Sequence, residues 1–577
     1  MGMRIDESAA LPVSDEARKR TGSHYTPASL AQFVARQIVN TLGTCKAARV
    51  LDPAVGDGEL LCALAGELTA CGTEILEAVG YETNHLALQM TKRRLARTFP
   101  TVPAILHEAD FLKVALADFD AGETLFSNEA DEQKYGLIIA NPPYVRTQVL
   151  GAAQAQRLAK QFGLTGRVDL YHAFIEAMAR VLQPGGLAGI IVSNRFMTTR
   201  GGMSVRSGIL RKFDVLHVFD LGDTKLFEAA VLPAVLLLRR KNGQSSKRSA
   251  CFTSIYSVAQ SRIEHTAKDV ISALDYDGVV QIQSGDKYLV RKGKLECGRD
   301  SSDVWRIATA HSNRWLGTVT EHSYCTFGNI GKIRVGVKTT ADKVFIRSDW
   351  ERMPWDRRPE LLRPLTTHHI ARRFKPKTEL RTAEIVYPHY VVNGNREVVD
   401  LDHFPRTAAY FKQHKAALER RTYVTEAGRK WFEIWVPQDP ELWPQLKLVF
   451  RDISETPTFW MDTEGTVING DCYWLTCNNL KDTDLLWLAL GVGNSPFIEA
   501  FYDHRFHNKL YSGRRRFMTQ YVEAFPLPNP DTAVGREIIG LTKDLYDLVP
   551  SPETADVERR LNLLVWRAFG LGEEISR

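Results

Sequence analysis

The chain has 577 residues, 44% of them hydrophobic and 25% charged, with a formal net charge of +6. That length allows two or more domains with sizeable cores, and the charge is too mild to single out a nucleic-acid or membrane partner. The sequence contains no signal peptide, apolar run of membrane length, low-complexity tract or internal repeat. Its eight cysteines form no CxxC pair and no zinc-like spacing with histidine, so they read as reduced thiols in a cytoplasm and no metal site is expected.

In chain order, residues 1–20 are polar and charged and read as a flexible lead-in. An amphipathic helix follows from about Ala28 to Leu42. Val50-Leu51-Asp52-Pro53-Ala54-Val55-Gly56-Asp57-Gly58 is a strand running into a glycine-bearing turn, then a helix from Glu59 to Leu68. Glycines there let backbone approach a ligand closely, but the pattern is neither GxGxxG nor a Walker loop. A second strand, Ala78 to Tyr81, ends in Glu82. An acid at that tip, about thirty residues after the first strand, is placed to bind ribose hydroxyls. A third element, Ile105 to Ala109, ends in Asp110-Phe111, an acid able to accept from an adenine amine beside a ring able to pack on it.

The apolar run Leu137 to Ala140 reads as a buried strand, and Asn141-Pro142-Pro143-Tyr144 follows it. The Asn side-chain oxygen and the Pro142 carbonyl can each accept a hydrogen bond from an exocyclic NH2 group. The prolines fix φ and lack N–H donors, so these acceptors stay in place, and Tyr144 offers a face for stacking. Two acceptors orient the amine's lone pair toward an electrophile on the opposite side, which suits alkylation of a base amine. Taken alone, the tetrad is also an ordinary strand end with a Pro-Pro turn. The three preceding strand tips, which together describe a nucleoside pocket, decide for the chemical reading.

With these motifs in this order, the chain resembles the adenine-N6 DNA methyltransferases that use S-adenosylmethionine, in the gamma arrangement and with the NPPY signature of type II restriction-modification methylases. The resemblance covers roughly residues 20 to 240. It implies that Tyr25 and Thr26, within Gly22 to Pro27, lie over the cofactor's methionine end. Asp52, Ala54 and Gly56 match the glycine-turn motif, although some relatives carry Glu at the first position. Glu82 matches the ribose-binding acid, Asp110 with Phe111 the adenine-end pair, and Asn141, Pro142, Pro143 and Tyr144 the catalytic tetrad. Asp169 to Tyr171, then Leu182 to Val192, look like the next two blocks. Phe219 to Gly222 with Leu226-Phe227 look like the last. There an aromatic residue packs on the far face of the extruded base, with Phe227 the candidate; Phe219, eight residues earlier, and a plain core role are its alternatives. The implied reaction needs alignment and desolvation more than acid–base chemistry, and a duplex adenine must be flipped out to reach the pocket.

The resemblance implies an α/β fold, with a seven-stranded, mostly parallel Rossmann-like sheet over residues 21–243 and a C-terminal mixed α/β target-recognition domain over 244–577. Its seam is placed at the polar stretch Lys241 to Lys247. All 11 tryptophans lie beyond residue 300, and residues 331–381 hold 14 Lys/Arg against 6 Asp/Glu. Behind a base-amine methylase this run, interleaved with Trp350, Trp355 and Phe374, reads as a phosphate-contacting surface. The cluster Lys509 to Arg516 resembles a segment recurrent in recognition domains, and the tail from about Ala555 to Leu571 reads as a packing helix. Asp503-His504 with His507, and His368-His369, read as polar surface or DNA contacts rather than ligands.

The expected activity is site-specific adenine-N6 methylation of double-stranded DNA by a cytoplasmic enzyme. It would be the modification component paired functionally with a separate restriction endonuclease, without a stable complex and without a membrane. Two alternatives stand beside it. One is a bifunctional enzyme that also cuts, for which about twenty residues before Tyr25 leave no room for an amino-terminal nuclease. The other is methylation of RNA or of a protein glutamine, which shares the tetrad but seldom needs so long a second half.

Overall fold

We describe a computed structural model of the chain over residues 25–122, 134–144, 152–164, 169–227, 232–243, 249–259, 261–298, 303–479, 481–506 and 514–572. By contacts it divides into two units at Thr309/Ala310.

The first unit is built on strands β1 (Ala47–Asp52), β2 (Glu74–Glu82), β3 (Ala104–Glu108), β4 (Tyr135–Ala140), β5 (Leu182–Ser193), β6 (Phe213–Asp220) and β7 (Pro233–Arg240). They lie in the order β3-β2-β1-β4-β5-β7-β6. The first five are mutually parallel, and β7 is antiparallel to both β5 and β6. This is the expected seven-stranded, mostly parallel sheet. Helices α1 (Ala28–Leu42), α2 (Glu59–Ala70), α3 (His85–Thr98), α4 (Phe111–Gly122), α5 (Ala152–Phe162), α6 (Leu170–Val181) and α7 (Met203–Lys212) accompany it.

Central parallel strands are buried on both faces, so their sequences are continuously apolar and the side chains alternate between two cores. Val50, Leu137 and Ile139 pack with Leu30, Val34 and Ile38 of α1 and Leu61, Leu64 and Leu68 of α2. Leu51, Ile138 and Ala140 pack on the other face with Phe111 and Leu112 of α4, Phe174 and Met178 of α6, and Ile209 of α7. Strand order reverses between β1 and β4, which opens a crevice at their carboxyl ends.

The sheet does not stop at the polar stretch expected to be the seam. Strand β8 (Cys251–Ser257) runs parallel to β6, and β9 (His265–Ala267), β10 (Gly278–Ile282), β11 (Lys287–Glu296) and β12 (Arg306–Ala308) extend it to twelve strands. The boundary expected at residue 243 therefore moves to Thr309. Lys241 to Gly243 lead out of β7 into a connection within one sheet, because the backbone groups on the outer edge of β6 are paired with β8.

The second unit is mixed α/β, as expected. One four-stranded sheet orders Ile333–Val335, Cys472–Leu475, Lys447–Arg451 and Phe459–Asp462; another orders Ile346–Arg347, Glu384–Val386, Leu362–Thr366 and Val467–Ile468. Helices α8 (Pro405–Gln413), α9 (Thr483–Gly493), α10 (Ala533–Leu548) and α11 (Thr554–Ala568) belong to it, the last close to the expected tail helix. Trp350, Trp443, Trp460 and Trp474 form its core with Tyr387 and Phe411. Inside it, the Lys447 ammonium meets Asp462 at 3.0 Å with both side chains fully buried. Among the described residues no helix is long and apolar enough to cross a membrane.

Candidate active site

The residues expected to act lie on one edge of the sheet. Asp52 ends β1, Glu82 ends β2, Asp110 follows β3 and Asn141 follows β4. The turn after β1 is pinned by its own backbone: the Val55 amide donates to the Tyr81 carbonyl (2.9 Å), the Gly56 amide to Glu82 Oε2 (3.1 Å), and Thr91 Oγ1 donates to the Gly56 carbonyl (2.8 Å). Gly58, at φ 83°, begins α2 where a Cβ would fall 2.8 Å from Thr91 Cγ2, so only glycine lets α3 come so near. Gly56, at φ 54°, faces open space.

Asp52 is fully buried. Its Oδ1 accepts from the Ala54 amide (3.1 Å), whereas Oδ2 has no partner among the described residues. Burial pushes its pKa up to about 8. Glu82 Oε1 accepts from the Asn84 amide (2.7 Å), and Asp110 Oδ1 from the Leu112 amide at the start of α4 (3.0 Å). Tyr25 is largely exposed, while Phe111 lies in the core, 5.5 Å from the Tyr81 ring and 5.9 Å from Phe174.

The tetrad is closely organised. Asn141 Nδ2 donates to Thr26 Oγ1 (3.1 Å), and the Tyr144 hydroxyl donates to Asn141 Oδ1 (2.9 Å). The Tyr144 ring meets Tyr171 edge-on at 6.2 Å, and burial raises its phenol pKa. Thr26 is held by α1, which begins two residues later and lies so close to β5 that a Cβ on Gly189 would fall 2.8 Å from both Ile38 and Val34 side chains.

Sequence reading missed a buried polar cluster on the same edge. Asp220 Oδ1 accepts from Asn194 Nδ2 (2.9 Å) and the Gly222 amide (3.2 Å), and its Oδ2 from the Tyr256 hydroxyl (2.7 Å). Burial lifts the Asp220 pKa to about 6 against these donors. Beside it, Asp223 accepts from the Ser257 amide and hydroxyl at 2.8 and 2.6 Å. Tyr256 and Ser257 lie on β8, past the supposed seam, so no local pattern joined them to Asp220. Phe227 is buried in the core shared with α1, while Tyr144 packs against the core on the opposite face of the sheet.

On the second unit, the basic run is less free than its composition suggested. Arg347 pairs with Asp349 (2.8 Å), Arg358 with Glu384 (3.2 Å) and Arg373 with Glu558 (2.5 Å), and Arg381 pairs with Glu464. Of the cluster at 509–516, residues up to Gly513 lie outside the described chain. Arg515 is bound to Asp503 (2.8 Å) and Glu499 (2.6 Å), and Arg516 to Asp452 (3.1 Å). Trp350 and Phe374 are buried, but Trp355 is 76% exposed. The Arg406 guanidinium covers that ring at 4.3 Å and donates to the Trp355 carbonyl (2.7 Å) and to Glu360 Oε1 (3.2 Å). Glu360 also accepts from the Thr407 amide and hydroxyl (2.7 and 2.6 Å), so the indole stands on a fixed base at the start of α8.

An acid-tipped, mostly parallel sheet of this strand order, with an Asn-Pro-Pro-Tyr turn at its ligand edge, defines the class: a nucleoside-cofactor methyltransferase fold followed by a second unit. Residues 77–227 match the Eco57I restriction-modification methylase family and residues 400–527 the TaqI-like C-terminal specificity domain. The chain is 37% identical over 570 residues to the type II methyltransferase M.BanIII of Aneurinibacillus aneurinilyticus, covering 96% of this chain and 98% of that protein. It is 26% identical to M.BstVI of Geobacillus stearothermophilus, covering 84% and 85%. Among solved structures, the cryo-EM DrdV–DNA complex shares the fold with a TM-score of 0.52 at 12% identity, covering 93% of this chain and 58% of that one.

The chain belongs to the type II DNA methyltransferases of restriction-modification systems, and its cofactor is S-adenosylmethionine. The crevice fits that cofactor: Asp52 Oδ2 is a buried polar atom without a described partner, the space over Gly56 is open, and Glu82 stands at the tip of the neighbouring strand.

Proposed function

We propose that the protein methylates the N6 amine of an adenine rotated out of duplex DNA, and that it is the modification component of a system whose restriction endonuclease is a separate protein. The observation that carries this reading is Asn141. Its amide stands at the end of β4, next to the crevice of Asp52 and Glu82, with its oxygen accepting from the Tyr144 hydroxyl.

In this reading Asn141 Oδ1 and the Pro142 carbonyl accept the two N6–H bonds, which turns the amine's lone pair out of the acceptor plane. Tyr144 stacks on the purine and excludes water from one face, and the Tyr171 edge supports that ring from behind. Asp52, Glu82 and Asp110 would hold the cofactor, which supplies an electrophilic methyl group. With the cofactor bound, these residues would set its methyl group opposite the amine held by Asn141 and Pro142, and the extra proton on the methylated nitrogen would pass to water. Phe111 and Phe227, buried as they are, support the pocket from the cores. The second unit supplies sequence recognition, with Trp355 as an exposed anchor on it. A protein-glutamine methylase would not need the specificity domain matched over residues 400–527.

The test is incorporation of labelled methyl groups offered DNA, ribosomal RNA and release factor in parallel. Label in DNA alone is expected, with loss of label in Asn141→Ala; label in RNA or release factor would overturn the DNA assignment. A Mg2+-dependent cleavage assay on the same preparation is expected to show intact DNA.

A further inference from the structure

The buried cluster at Asp220 joins two loops that leave the ligand edge of the sheet. Asn194 opens the loop of residues 194–202 after β5, and its Nδ2 donates to Asp220 Oδ1 (2.9 Å) at the end of β6. Asp220 leads into the turn of residues 221–224, which β8 holds through Tyr256 on Asp220 and Ser257 on Asp223. Gly222, at φ 50°, lies so near β8 that a Cβ would fall 2.2 Å from the Ile255 carbonyl oxygen. The first loop is also pinned from behind. Arg206 Nη1 donates to the Phe196 and Thr199 carbonyls (2.6 and 2.9 Å), and a Cβ on Gly202 would fall 2.1 Å from the Phe196 oxygen. Burying an acid and a guanidinium is costly unless hydrogen bonds meet them, and here those bonds fix the two loops in place.

Each loop carries an exposed cation. Arg195 stands between buried Asn194 and Phe196, and Lys225 directly follows buried Thr224. Among the described residues neither charged group has a hydrogen bond or an ion pair, unlike Arg347, Arg358 and Arg373 of the second unit, each of which has a carboxylate. Lys225 has φ 56°, a left-handed backbone that a residue with a side chain adopts at a cost and keeps where its surroundings impose it. Arg195 is also beside the base pocket. Ala140 of β4 pairs in parallel with Ile190 of β5, so Asn141 and Arg195 leave neighbouring strands at one edge. Burial, then Asp169 and Tyr144, push the Tyr171 phenol up, and the Arg195 charge is near enough to oppose them; that same Tyr171 ring meets Tyr144 edge-on.

We propose that Arg195 and Lys225 form a phosphate clamp on the catalytic unit, taking backbone phosphates of the DNA strand that carries the target base. This rests on the base entering at Asn141, as proposed above. A nucleotide rotated out of the duplex brings its own phosphates to the rim of the pocket that takes its base. A cation fixed at that rim neutralises a phosphate and releases condensed counterions, and because its loop is pinned it also sets the register of the strand. The Asn194–Asp220–Tyr256 cluster then has a purpose that neither base nor cofactor binding gives it: it ties the Arg195 loop to the Lys225 turn.

The experiment compares the parent with Arg195→Gln, Lys225→Gln, Arg195→Lys, Arg211→Gln and Asn141→Ala. Arg211 is an exposed arginine in the last turn of α7, at the far end of that helix from the Arg195 loop, and controls for net charge alone. The apparent kcat/KM on genomic DNA lacking the modification is measured from about 50 to about 200 mM salt, and S-adenosylhomocysteine affinity by calorimetry. Arg195→Gln and Lys225→Gln are each expected to lower kcat/KM about fivefold or more. Each should make the slope of its logarithm against log salt shallower by about 0.9, the change for one lost phosphate contact, with S-adenosylhomocysteine affinity within about twofold of the parent. Arg195→Lys should keep the parental slope, because a point charge still meets a phosphate, and so should Arg211→Gln. Slopes in the two glutamine variants no different from that of Arg211→Gln would overturn the proposal. A change in only one of them would leave a single contact and overturn the clamp. Asn141→Ala reports on the underlying reading separately: parental turnover there would move the base pocket elsewhere, while the salt slopes would still show whether these two cations meet phosphate.

Discussion

Two buried acids, Asp52 in the first unit and Asp462 in the second, are treated in opposite ways. In the first, Asp52 stands at the end of β1 with hydrogen-bonding capacity left over, because its Oδ2 has no described partner, and the space over Gly56 beside it is open. In the second, much of the charge is turned inward, in Lys447–Asp462, in Arg515 with Asp503 and Glu499, and in Arg516 with Asp452. Unsatisfied capacity in a crevice marks a place for a ligand, because a buried polar group without a partner is costly unless something arrives to meet it. Paired charge marks a scaffold. The contrast separates Asp52, at the ligand edge of its sheet, from Asp462, which belongs to a scaffold.

The comparison is broken most severely at Asn141. Asn141→Ala should lower the methylation rate by about 10²–10³, the loss typical when one preorganised hydrogen-bonding group is removed from a reacting centre, with S-adenosylhomocysteine affinity near parental. Retained turnover would mean that the tetrad is only a turn. Next in size, Trp350→Ala removes a 1%-exposed ring from the second core and should cost about 3–5 kcal/mol of stability. It should unfold the second unit at lower denaturant and leave cofactor binding to the first intact. A single transition that also carries cofactor binding would show that the units do not behave separately.

Asp52 sharpens the comparison through pH. Its folded pKa is raised by burial from 3.8 to about 8, so between those values the folded protein keeps a proton that the unfolded chain has lost. Stability is fully supported below the lower value and declines as pH rises toward the higher one. Without cofactor, the parent should therefore lose more melting temperature between pH 5 and pH 8 than Asp52→Asn, and equal losses would show that the acid is not buried as described. The smallest effect is expected on the outer surface of the second unit. Trp355→Ala should weaken DNA binding about tenfold by removing one anchored aromatic, without changing cofactor affinity or folding. Unchanged DNA binding would put the recognition surface elsewhere.

The catalytic sheet was legible because parallel strands buried on two faces are uninterrupted apolar runs, and the polar residue that ends each run is where a ligand can be met. Asp52, Glu82 and Asn141 are of that kind, whereas Asp110 follows the exposed edge strand β3, and α1 was bounded correctly by its helical period. The five added strands were not legible. Lys241 to Lys247 have the composition of a linker, and nothing local in Cys251–Ser257 reveals that its partner is β6. The Asn194–Asp220–Tyr256 cluster was hidden for the same reason, since its members come together only through sheet pairing. Aromatic and basic residues were the least reliable guides, because composition does not distinguish buried Trp350 and Phe374 from exposed Trp355, or paired Arg373 from a free cation. Phe111 and Phe227, placed by motif position, are buried residues of the two cores.

The central claim is that the pocket at Asn141 accepts an adenine and presents its amine for methylation. Mass spectrometry of nucleosides from DNA treated with the protein and isotope-labelled S-adenosylmethionine tests it most directly. Label is expected in N6-methyldeoxyadenosine, falling about 10²–10³-fold when Asn141→Ala is used; label in a cytosine derivative, or in no DNA nucleoside at all, would contradict the adenine assignment.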